Sequence, residues 1–135
     1  MSQTRQLAAI MFTDIVGYTA MMGNDEQKAF STLTKNRELQ KPIIEKFNGR
    51  WIKELGDGVM ASFNTVSDAV NAAIKIQEAC NAAKDFQLSI GIHQGEIIFE
   101  NNDIYGDAVN IASRIQTLGV PGSVLFSKKI TDEIR

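Results

Sequence analysis

A chain of 135 residues with 44% apolar side chains is long enough to bury one core and too apolar for disorder. Its formal net charge of −2, with no basic run or stripe, argues against nucleic-acid binding or attachment to a membrane surface. No segment approaches the roughly 20 apolar residues that cross a bilayer. The run from Leu7 to Thr13 is too short and lacks the cleavage pattern of a signal peptide. The single cysteine, Cys80, follows Ala69, Val70, Ala73, Ile74 and Gln77 at the spacing of one helix face, so it reads as a packed thiol in a reducing cytoplasm.

In chain order, Leu7–Thr13 reads as a short strand buried on both faces. Asp14 interrupts it, and Gly17 allows a turn. From about Asp25 to Phe47 the pattern is helical, with Phe30, Leu33, Ile44 and Phe47 on one side and Pro42 predicting a kink or break. Asn48-Gly49 ends that segment. Arg50–Leu55 and Val59–Phe63 are two strands joined by Gly56-Asp57-Gly58, a hairpin signal. Thr65 and Asp68 form a capping box opening a helix to about Ala82.

Gln87–Phe99 alternates as a strand, with Leu88, Ile90 and Ile92 on one face and Ser89, Gly91 and His93 on the other. Asn101-Asn102-Asp103 is a polar turn, and a helix follows from Asp107 to about Leu118. Ser123–Phe126 closes as a strand, and Lys128–Arg135 reads as helical. This order predicts an α+β domain, with a ferredoxin-like mixed β-sheet of βαββαβ core and helices packed mainly on one face.

Several residues carry two readings. Asp14 directly after a buried strand is costly unless its charge is compensated; Asp14 or Thr13 could equally cap a helix. Asp57 sits where a tight hairpin wants Asp-Gly. Taken together, the two carboxylates converge in a ferredoxin-like sheet and repel unless a divalent cation lies between them, and oxygen ligands suit Mg²⁺ or Mn²⁺. Lys53 shares strand parity with Trp51 and Leu55, so it is either a snorkelling lysine or a donor directed at a ligand. Asn110 and Arg114 project from one side of a helix, as a solvated face or as groups that meet a phosphoryl charge. His93, the only histidine, reads as structural.

The segments Phe12–Thr19, Ile52–Gly58 and Asp103–Arg114, in this order and separation, resemble the class III adenylate and guanylate cyclases. The resemblance spans nearly the whole chain, giving a single catalytic domain over residues 1–135. It implies that Asp14 and Asp57, with the backbone carbonyl of Ile15, bind two Mg²⁺ or Mn²⁺ ions per active site. It implies that Val16, Gly17, Tyr18 and Thr19 hold the triphosphate through backbone amides, a helix N-terminus serving an anion. Lys53 and Asp103 match the pair that reads the purine, and Asn110 and Arg114 match the residues that place the ribose and stabilise the transition state.

Lysine donates to a ring nitrogen of adenine and a carboxylate accepts from its exocyclic amine, whereas guanine presents a carbonyl there, so the pair points to ATP as substrate. The implied reaction is in-line attack of the ribose 3′-oxygen on the α-phosphorus, giving cyclic AMP and pyrophosphate. The family builds its site between two catalytic domains, and this chain carries both residue sets, so a homodimer with two sites is implied. The chain begins at Met1, which suggests a natural N-terminus, and ends at Arg135, before the strand pair and triphosphate-binding lysine of family members. A C-terminally truncated domain, weakly active by itself, is the expectation. A silent cyclase-like dimerisation or nucleotide-binding module is the alternative. A diguanylate cyclase is disfavoured because Gly56-Asp57-Gly58-Val59 replaces its hairpin signature.

Overall fold

The computed structural model describes residues 3–127. The elements are β1 (Thr4–Ile15), α1 (Tyr18–Asn24), α2 (Glu26–Lys46), β2 (Arg50–Leu55), β3 (Gly58–Phe63), α3 (Val66–Ala83), β4 (Leu88–Glu100), β5 (Asp103–Tyr105), α4 (Asp107–Thr117) and β6 (Val124–Phe126). The sheet runs β2-β3-β1-β4-β5, with β6 parallel to β4 and the other pairs antiparallel. The ferredoxin-like order is thus present. All six residues of β3 are buried, as are Ala8–Thr13 of the neighbouring β1.

Cross-strand partners sort the side chains into two layers. Met11, Phe63, Leu88, Ile90 and Ile92 pack under α2 and α3 with Ile44, Ala73 and Ile76. Ile10, Phe12, Met60 and Ile97 pack on the other face with Ala108 and Ala112 of α4. Most helical mass therefore lies on one face, and α4 alone covers part of the other. Small residues let α4 sit close: a Cβ at Gly91 would overlap the Gln116 backbone nitrogen, and one at Gly95 would meet Ala108 Cβ at 2.6 Å.

Several sequence expectations change. α2 runs unbroken through Pro42, where Pro42 and Glu38, whose carbonyl loses its partner N–H, are both exposed residues. Phe30 is 49% exposed, and the buried face of α2 is instead Ala29, Thr32, Asn36, Gln40 and Ile44. That face is partly polar: Gln40 Nε2 donates to Thr13 Oγ1 at 3.0 Å and to Asn36 Oδ1 at 2.7 Å, while Gln40 Oε1 is buried without a hydrogen-bond partner among the described residues. Asn101 and Asn102 make the turn, both at positive φ, while Asp103 begins β5 rather than ending the turn. The helix expected at Lys128–Arg135 lies outside the described residues.

Candidate active site

Asp14 stands one residue before the end of β1, half-buried, on the face covered by α4. It caps nothing. The N-cap of α1 is Gly17, at φ 74° with no side-chain hydrogen bond, and Thr13 is occupied by Gln40. The hairpin between β2 and β3 brings Asp57 to the same strand end, where its Oδ2 accepts the Ile15 N–H at 3.1 Å across 42 residues of sequence. Gly58 does more than serve the turn: a Cβ there would lie 2.9 Å from Asp14 Oδ1, so its missing side chain makes room for the carboxylate.

Burial, then the charge of Asp57, pushes the Asp14 carboxyl up to about 6, while a hydrogen bond from the Gln116 side chain acts in the opposite direction. None of the ion pairs among the described residues involves Asp14 or Asp57. Two converging carboxylates without a protein counter-charge fit a divalent cation. No group of three or more acidic, cysteine or histidine side chains that could hold a metal occurs among the described residues. The remaining ligands would therefore be backbone carbonyls, water or a bound phosphate, which is how Mg²⁺ is commonly held.

Lys53 and Asp103, 50 residues apart, meet at 2.8 Å between Nζ and Oδ2, and this contact helps hold the Asp103 carboxyl below the usual range against its desolvation. The expected parity of Lys53 with Trp51 fails. The register shifts between them, placing Trp51 opposite Ala61 in the α2–α3 layer and Lys53 opposite Met60 in the other. Asn110 and Arg114 are exposed on α4, whose buried row is Ala108, Ala112 and Gln116. They lie on the outer face of the helix, and none of the ion pairs among the described residues joins them to the carboxylates. Val16 and Gly17 lead into α1, which begins at Tyr18 and includes Thr19 and has no buried residue. His93 lies in β4, half-buried, facing the α4 layer.

Gln116 escapes a motif-based reading. It is buried, donates to Ser89 Oγ at 3.0 Å, and Ser89 is the cross-strand partner of Asp14. The available signal was a polar residue in register with Ala108 and Ala112, on the row that a helix turns to its core.

Paired carboxylates lacking a protein counter-ion, at the end of a sheet and beside a glycine-capped turn, are an arrangement that suits a divalent cation in this α+β domain. Residues 1–134 match the profile of the adenylate and guanylate cyclase catalytic domain, and the chain belongs to that family. It is 36% identical over 138 aligned residues to a protein of Rhizobium meliloti named putative adenylate cyclase 3, covering 96% of this chain and 24% of the relative. An adenylate cyclase of Glutamicibacter nicotianae is 29% identical, with 94% of this chain and 32% of the relative covered. This chain spans about a quarter to a third of these curated relatives' length. The solved adenylate/guanylate cyclase/hydrolase of Silicibacter pomeroyi superposes with a TM-score of 0.90 at 34% identity, covering 98% of this chain and 81% of that one. The family implies use of a divalent metal. No helix among the described residues is long and apolar enough to cross a membrane.

Proposed function

We propose that residues 1–135 act as an adenylate cyclase catalytic domain that converts ATP to 3′,5′-cyclic AMP and pyrophosphate, at sites shared between two copies of the chain. The observation that carries the choice of substrate is the 2.8 Å contact of Lys53 with Asp103. It sets a donor beside an acceptor, the complement of the adenine edge, and a carboxylate there would repel the guanine carbonyl.

Asp14, Asp57 and the Ile15 carbonyl would hold the metal, two Mg²⁺ or Mn²⁺ ions per site. Bound there, the ions neutralise phosphate charge and acidify the attacking hydroxyl. The chain supplies the rest. Backbone amides of Gly17, Tyr18 and Thr19, at a helix start with no side-chain cap, receive the triphosphate, whereas the Val16 N–H already donates to the Gln87 carbonyl at 2.9 Å. Asn110 orients the ribose, so that its 3′-oxygen attacks the α-phosphorus in line while the bond to pyrophosphate breaks and the hydroxyl proton is lost. Arg114 meets the charge that builds on the phosphoryl oxygens. The outward facing of Asn110 and Arg114 on α4, away from the sheet, supports a role toward the carboxylates of a second copy.

The test is product analysis of the purified protein carrying this domain, with ATP and GTP in parallel and either Mg²⁺ or Mn²⁺. Cyclic AMP should exceed cyclic GMP by about 10²-fold or more. Nucleotide binding without product under both metals would instead establish a silent module. Lys53→Glu with Asp103→Cys should erase most of the preference for ATP, and unchanged selectivity would remove the purine-reading role of the pair.

A further inference from the structure

Ahead of Lys53, its strand is held by Trp51 and Ile52, partly buried against opposite core layers. β2 is the outermost strand, and none of its side chains is fully buried. A strand's facing is normally set by burying one side, and a slip of one residue exchanges the two faces. β2 carries such a shift between Trp51 and Lys53, so the residues beyond it take the opposite facing from those before.

One contact past the shift fixes that facing. Arg37 of α2 clasps Glu54 in a fork, Nε to Oε2 at 2.7 Å and Nη2 to Oε1 at 3.0 Å. The pair is partly exposed, and an ordinary ion pair there would add little stability. A bidentate guanidinium–carboxylate pair, however, fixes orientation as well as distance. With Glu54 turned to α2, its neighbour Lys53 must turn to the other layer, where Asp103 receives it. α2 is itself anchored one turn on, by the buried Asn36–Gln40–Thr13 hydrogen bonds, next to Asp14.

We infer that Arg37, through Glu54, is a positioning residue for purine selection: it holds the shifted register of β2 that points Lys53 at Asp103 and at the base. This rests on the reading of Lys53 and Asp103 as the adenine-recognising pair. Arg37 touches no substrate.

The experiment compares kcat and KM for ATP and GTP in the whole protein carrying Arg37→Gln, Arg37→Lys, or the exchange Arg37→Glu with Glu54→Arg. Lys53→Glu with Asp103→Cys serves as the control for the pair. Arg37→Gln should lower the ATP-over-GTP ratio by about tenfold, mainly through KM for ATP, while the melting temperature barely moves. Arg37→Lys, which keeps the charge but loses the fork, should fall between, and the exchange should recover most of the ratio. If the control shifts selectivity while Arg37→Gln and Arg37→Lys keep the parental ratio, the inference is overturned. If the control leaves the ratio untouched, the adenine assignment falls and takes this inference with it. Should Arg37→Gln fold poorly, the folded Arg37→Lys and exchange variants decide the matter by the same ratio.

Discussion

At Asp14 the requirements of folding and of metal binding oppose each other. A carboxyl whose folded pKa rises from 3.8 to about 6 binds its proton more tightly folded than unfolded. The stability this confers is therefore present below about pH 3.8 and is lost as pH rises through about 6. Above that range the ionised pair costs stability, about 1 kcal/mol for a half-buried group screened by water. In metal-free buffer at pH 7, Asp14→Asn should raise stability by about that amount and flatten the pH dependence between 4 and 6, as urea melts across pH would show. The same variant should lose nearly all turnover. A metal-free Asp14→Asn that is less stable than the parent would contradict the account of the pair. Asp14 itself was legible in sequence as a carboxylate closing a buried strand. Gln116 was not, because its helical spacing marks only that it faces inward, and its importance comes from a hydrogen bond to Ser89, 27 residues away and the cross-strand partner of Asp14.

At the scale of elements, α4 joins the two halves of the chemistry. Its inner row packs on β4 and reaches Ser89, while its outer row carries Asn110 and Arg114. Asn110→Ala or Arg114→Ala should lower kcat by about 10²-fold with KM changed far less, since the lost contact belongs to the transition state. Gly91→Ala forces a methyl against the α4 backbone and should cost about 1–3 kcal/mol in urea unfolding, together with kcat, because the outer row moves with the helix. Hydrophobic periodicity and turn residues disclosed nearly every strand and the order of the sheet. They did not disclose the shift between Trp51 and Lys53, since a bulge changes no composition, and parity counted from Trp51 sent Lys53 to the wrong face. β5, three residues long, and α1, seven residues with no buried side chain, are too short to leave a periodic signature. Pro42 was a helix breaker in principle, yet α2 runs through it at an exposed position.

At the scale of the whole molecule, the proposed function divides its groups into two sets that do not meet within the described residues of one chain. The carboxylates of Asp14 and Asp57 gather at one strand end, while Asn110 and Arg114 look outward from α4. A site that needs both sets is complete only across an interface, and two-fold symmetry then gives two such sites. Complementation tests this directly. Asp14→Asn and Arg114→Ala proteins, each inactive alone, are mixed in equal amounts under conditions of subunit exchange, and cyclic AMP is measured. A mixed dimer has one dead site bearing both substitutions and one intact site, so random exchange should restore about a quarter of parental activity. A mixture as inactive as its components, with exchange verified, would show that the site is not shared between two copies of this chain.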